Sequence, residues 1–123
     1  MKAITLLLGF SLLFTSFIDP PCNIMKKGKF RYLDADDKTA FIEINGNKQV
    51  EYYQSKKYYV KSDLKWTGEC TYELSMTAST LPKLAFKPGD KLKIEIVKVS
   101  NDTVTYKAIS DKRVWLGKWK VIK

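Results

Sequence analysis

The chain has no histidine, only two cysteines among 123 residues, and arginine at Arg31 and Arg113 alone. Each scarcity removes a class of chemistry. Without histidine there is no Ser-His or Cys-His nucleophile pair and no imidazole metal ligand. Two thiols by themselves fall short of the four ligands of a structural zinc site, so no metal and no cofactor is expected. With two arginines there is little of the planar, bidentate chemistry that grips phosphates and bases. Acidic residues are also in the minority, 13 against 22 lysines and arginines, for a formal charge of +9. No sustained apolar stripe of helical period is present. The length suits one domain and excludes a large multidomain enzyme or a transmembrane bundle.

The one long apolar run is Ile4 to Ile18, broken by Thr5, Gly9, Ser11, Thr15 and Ser16 and preceded by Lys2. It reads as a secretory signal, too short to span a bilayer comfortably. The expected organisation is a signal over approximately 1–21 and a single β domain over 22–123. Removing the signal takes one base, Lys2, and one acid, Asp19, so the domain keeps the whole +9. The expected location is secreted or periplasmic, at the cell envelope, with no membrane span after cleavage.

Both cysteines fall in the exported part. An even number in a small secreted chain normally forms a disulfide, and Cys22 with Cys70 is the one internal pairing available. The alternative is a lipid-modified Cys22, but Asp19, Pro20 and Pro21 stand where a lipoprotein signal has small residues.

Beyond Cys22 the residues alternate with period two, the signature of half-buried strands. Phe30 and Tyr32 oppose Lys29 and Arg31; Ala40, Ile42 and Ile44 oppose Phe41 and Glu43. Asn45-Gly46 predicts a type I′ hairpin turn. Strands over 48–54 and 57–63 follow, with Leu64 and Trp66 leading to a break at Thr67-Gly68. Cys70, Tyr72, Leu74 and Met76 share a core-facing side. Residues 77–90 lose the alternation, and Lys87-Pro88-Gly89-Asp90 predicts a type II turn. Leu92, Ile94 and Ile96, then Val104, Tyr106 and Ala108, flank a hairpin at Asn101-Asp102. The last strand places Trp115, Gly117, Trp119 and Val121 on one side, with Gly117 as a kink point. The prediction is an all-β antiparallel meander of about eight short strands, closed into a small barrel or strongly curved, since closure removes exposed edges.

The succession Cys22, Gly28-Lys29-Phe30, Tyr32, Glu51-Tyr52, Trp66-Thr67-Gly68-Glu69-Cys70-Thr71-Tyr72-Glu73-Leu74 and Gly89-Asp90 resembles small secreted β proteins of the Bacteroidota. The resemblance covers most of residues 22–123 and implies a lipocalin-like sheet with no assigned activity. Some such proteins carry a topoisomerase label, which neither this chain's size nor an exported location supports.

No catalytic residue is expected. Asp34, Asp36 and Asp37 lack EF-hand spacing and read as a solvated turn. Glu43, Glu51, Glu73 and Glu95 fall one per strand and read as outward-facing. Tyr52, Tyr53, Tyr58, Tyr59, Trp66, Trp115 and Trp119 could line an apolar ligand site, and Tyr52, Tyr59, Trp66, Trp115 and Trp119 are the candidates chosen from them. Neighbouring tyrosines in a strand must face opposite ways, so each pair puts one ring in and one out. Asn101-Asp102-Thr103 matches a glycosylation acceptor, a weak pattern in a turn. The functional expectation is a non-enzymatic binding or structural module. Its alternatives are a lipocalin-like carrier of a small apolar ligand, an enzyme inhibitor, and an enzyme using a carboxylate pair. The expected partner is a small apolar ligand or an anionic envelope polymer or lipid. Nucleic acid is disfavoured, although lysines interleaved with aromatics also suit single strands.

Overall fold

The computed structural model describes residues 21–84, 86–111 and 113–122. Residues 1–20, the body of the expected signal, lie outside the described residues. A 3-10 turn, Pro21–Lys26, leads into eight strands: β1 (Lys27–Tyr32), β2 (Phe41–Asn45), β3 (Lys48–Tyr53), β4 (Tyr58–Trp66), β5 (Thr71–Ser79), β6 (Lys91–Ser100), β7 (Thr103–Ile109) and β8 (Val114–Ile122). Each pairs antiparallel with the next, and β8 returns to β1 to close the barrel. The closing ladder sets Phe30 opposite Val121 and Tyr32 opposite Trp119. Of the two architectures the alternation allowed, the closed barrel is the one formed.

Period-two alternation decides what the wall encloses. Phe30, Ile42, Ile44, Leu64, Tyr72, Leu74, Ile94, Ile96, Val104, Tyr106, Ala108 and Trp119 form one buried cluster. Charged residues of the same strands, such as Lys61, Asp63 and Lys65 on β4, point out. One mouth of the barrel is stopped by the 3-10 turn, whose Cys22 and Met25 are buried in that cluster. Cys22 is bonded to Cys70, with Cα atoms 5.3 Å apart. The carbonyl of Cys70 accepts the Ile96 N–H at 2.8 Å, so the bridge fastens the turn to two neighbouring strands.

Two irregularities stretch the strands past the point where alternation fails. Between β4 and β5, Lys61 pairs with Ala78 while Ser62 pairs with Met76, leaving Thr77 as an extra residue. Between β6 and β7, Val97 is the extra residue. These bulges bend the wall, and β5 therefore runs to Ser79 rather than stopping at Met76. Strand β4 likewise takes in Leu64 and Trp66.

The turns divide between matches and corrections. Pro88-Gly89 forms the expected type II turn: Gly89 lies at φ +95° and the Asp90 N–H donates to Lys87 O at 3.0 Å. At the first hairpin Asn45 pairs with Lys48, so the loop is Gly46-Asn47. Of its residues only Gly46 has positive φ, +66°. The expected type I′ turn at Asn45-Gly46 is thus replaced by one with glycine at the first central position, as in type II′ turns.

Gly117, expected as a kink point, has a packing role. It faces Tyr106 directly across the β7–β8 ladder, and a Cβ built on it would lie 2.4 Å from the Tyr106 hydroxyl oxygen. The missing side chain is the slot that the tyrosine ring fills.

The disulfide closes a long loop in the unfolded chain, and the entropy model assigns such loops about 4 kcal/mol. Replacing both Cys22 and Cys70 by serine is expected to lower the urea-unfolding free energy by about 2–4 kcal/mol while retaining the β circular-dichroism signature.

Candidate functional site

The mouth opposite the 3-10 turn is open and leads into a cavity of about 300 Å³. Its walls are mainly apolar: Val60, Leu74, Met76, Leu92, Ile94 and Ala108 from the strands, with Leu84 and Phe86 from the β5–β6 connection. Small side chains make the room, since Ser62 and Ala108 occupy inward positions that neighbours fill with larger groups. Tyr32, Tyr53, Tyr106, Trp115 and Trp119 supply an aromatic flank. Within it Tyr106 stacks on Trp119, centroids 3.7 Å apart, and Trp119 meets Tyr32 edge-on at 6.2 Å. Tyr32 in turn stacks near Tyr53 at 6.4 Å.

A single glutamate stands among these rings. Glu51 lines the cavity, and both neighbouring phenols donate to its Oε1, Tyr32 at 3.0 Å and Tyr53 at 2.5 Å. Loss of water raises the Glu51 pKa above the ordinary carboxylate value, and the two phenolic hydrogen bonds only partly oppose this. The Tyr32 and Tyr53 hydroxyls are themselves pushed up, by burial first and by the glutamate charge second. They keep their protons and act as donors. Gln49, one position along the same inner face, is buried, and its Oε1 has no hydrogen-bond partner among the described residues. The Trp119 Nε1 is likewise unpartnered, as are the Trp66 Nε1 and Tyr72 hydroxyl of a second ring pair.

Glu51 corrects the expectation that all four strand glutamates face outward. Composition misled: in Lys48-Gln49-Val50-Glu51-Tyr52-Tyr53, the apolar set Val50 and Tyr52 looks like the inner one. The hairpin register overrules it. Because Asn45 pairs with Lys48, Ile42 lies opposite Glu51 and Ile44 opposite Gln49, and directly opposed residues share a face. Counting from that turn is the signal that would have found the site.

The predicted aromatic lining divides three ways. Trp115 and Trp119 line the cavity. Tyr52 and Tyr59 do not: they oppose each other on the outer wall. There Tyr52 stacks on Phe41 at 5.0 Å, and lysines cover the rings, Lys56 Nζ 5.2 Å from Tyr52 and Lys61 Nζ 4.9 Å from Tyr59. Trp66 packs on Tyr72 near the disulfide end, with Lys26 Nζ 4.2 Å over its ring. Of the Tyr52–Tyr53 pair it is Tyr53 that lines the cavity, and the lining Tyr32 and Tyr106 were not among the candidates.

The aspartate trio is a structured loop. Asp37 accepts the Thr39 N–H and Oγ1–H, at 2.9 and 2.6 Å, and the Gln54 N–H at 2.7 Å. These bonds lower its pKa and tie the β1–β2 loop to the β3–β4 turn. Among the described residues no group of His, Cys, Asp and Glu could hold a metal ion. No helix there is long and apolar enough to cross a membrane.

Comparison with protein-family models, curated proteins and solved structures finds no match to this chain.

Two outcomes follow from the site's packing and charge. Between the ordinary carboxylate pKa and the higher folded value of Glu51, the folded state holds a proton that the unfolded state has lost. Stability therefore falls as pH rises through that window. In thermal melts across pH, Glu51→Gln should remove this falling component, and superimposable wild-type and variant profiles would refute it. Gly117→Ala should cost about 1–3 kcal/mol in urea unfolding, the usual penalty for overpacking, because the rigid Tyr106 ring must leave its slot.

Proposed function

We propose that this protein is a non-enzymatic binding module that takes a small, predominantly apolar ligand into the open end of its barrel. The carrying observation is the cavity: about 300 Å³, apolar-walled, open at one mouth and stoppered at the other. Volume near this size with a few convergent polar groups is typical of small-molecule sites, and an eight-stranded barrel has just the girth for one such ligand. The lipocalin-like carrier is thus the reading favoured over a purely structural module.

The Cys22–Cys70 bond supports action outside the reducing cytosol, in the secreted or periplasmic setting that the N-terminal segment suggests. Lysines on the outer wall suit it to anionic polymers or lipid headgroups of a cell envelope.

One observation favours a second reading. Glu51 and Asp90 both line the cavity, as a carboxylate-dependent enzyme would require. Asp90, however, is engaged in its own turn, accepting the Lys87 N–H at 3.0 Å. That commitment favours binding over catalysis.

A neutral apolar fluorophore, N-phenyl-1-naphthylamine, should bind with one-to-one stoichiometry and quench tryptophan emission, since Trp115 and Trp119 flank the cavity. Ala108→Met, which extends a side chain into that space, should weaken binding about tenfold or more while preserving a cooperative melt. Equal binding by the variant would place the probe elsewhere.

A further inference from the structure

The cavity's charge runs opposite to that of the chain. The protein carries +9 overall, yet the titratable group at the heart of the cavity is a carboxyl. Only the Tyr32 and Tyr53 phenols act to favour its ionised form among the described residues. The basic residue among those lining the cavity, Lys91, pairs outward: its Nζ lies 3.5 Å from Glu73 Oε1 on the outer wall. The other charged residue lining the cavity, Asp90, is also acidic.

The hydrogen bonds around Glu51 are lopsided. Both phenols donate to Oε1, and no donor among the described residues reaches Oε2. The Gln49 Oε1 adds a second carbonyl-type acceptor, on a side chain 2% exposed and without a partner among the described residues. Around these acceptors stand the rings of Tyr32, Tyr53, Tyr106 and Trp119, in mutual contact. A carboxylate with a free oxygen and a spare acceptor beside it, in a cavity flanked by aromatic side chains, is the chemistry that recognises an ammonium group on an apolar body.

We propose that the cavity selects an organic cation, a protonated amine or quaternary ammonium on an apolar body, with its charged end at Glu51 and its body against Leu74, Met76, Leu92 and Phe86. This rests on the binding function proposed above and names its ligand class. Cation binding supplies the counter-charge that Glu51 lacks. Anionic amphiphiles such as fatty acids are rejected at the same point, despite the attraction of the lysine-rich exterior.

The test uses three probes with one body and different heads: 4-phenylbutylamine, 4-phenylbutan-1-ol and 4-phenylbutanoate, titrated calorimetrically at one pH and ionic strength. The amine should bind about tenfold or more tighter than the alcohol, with the carboxylate weakest. Glu51→Gln should bring the amine-to-alcohol ratio to within about twofold, whereas Glu43→Gln, the same charge change on the outer wall, should leave it unaltered. Alcohol binding as tight as the amine, carboxylate binding tightest, or an unchanged ratio in Glu51→Gln would overturn the cation proposal while leaving a binding cavity in place. If none of the three binds at millimolar concentration, the binding function fails as well. The wild-type order alone is decisive should the Glu51 variant prove unstable.

Discussion

The pairing of β8 with β1 is the constraint on which the other features rest. An eight-stranded meander left open would expose two strand edges and both of its faces. Closing it through Phe30–Val121 and Tyr32–Trp119 gives every strand two neighbours and separates inside from outside. Alternation then sorts the side chains without further instruction. At one end the sorted interior is filled, because the 3-10 turn carries Met25 and Cys22 into the mouth and the disulfide holds them there. At the other end Leu84 and Phe86 of the β5–β6 connection line the space without filling it, and small residues at Ser62 and Ala108 leave a cavity.

The same sorting explains the charge. Lysines alternate outward along nearly every strand, and Lys61 on β4 with Lys56 and Lys57 of the β3–β4 turn lay their amines over tyrosine rings. Their stems can cover the apolar ring edges while the charge stays in water. Among the described residues the excess of positive charge therefore faces outward. Inside, half-buried Glu51 has the opposite problem, a partly desolvated carboxyl with no basic partner among the described residues. A lone buried charge is costly, and two phenols offset only part of that cost. Groups held this way are common where a ligand completes the environment.

Much of this was legible in the residues. Period-two alternation located the strands, and the Cys count gave the bridge. The inward faces of β1, β2, β5, β7 and β8 followed from apolar residues two apart. What escaped had physical causes. The bulges at Thr77 and Val97 break the alternation on which strand ends are judged, so β5 looked shorter than it is. In β3 the more apolar face points out, since a lysine and a stacked Phe41 shelter Tyr52 there. Polar Gln49 and Glu51 consequently go in, and only register reveals it. Gly117 carries no mark of its role because the ring it admits, Tyr106, lies eleven positions earlier in sequence and directly opposite in space.

The central claim, an interior that is open at one end and takes a ligand, is tested most directly by methyl NMR during titration with 4-phenylbutan-1-ol. The account predicts shifts at the Met76, Leu92 and Ala108 methyls of the cavity. Met25 at the stoppered end and Val97, Val114 and Leu116 on the outer wall should stay fixed. Shifts confined to the outer-wall methyls, or none at all, would contradict it.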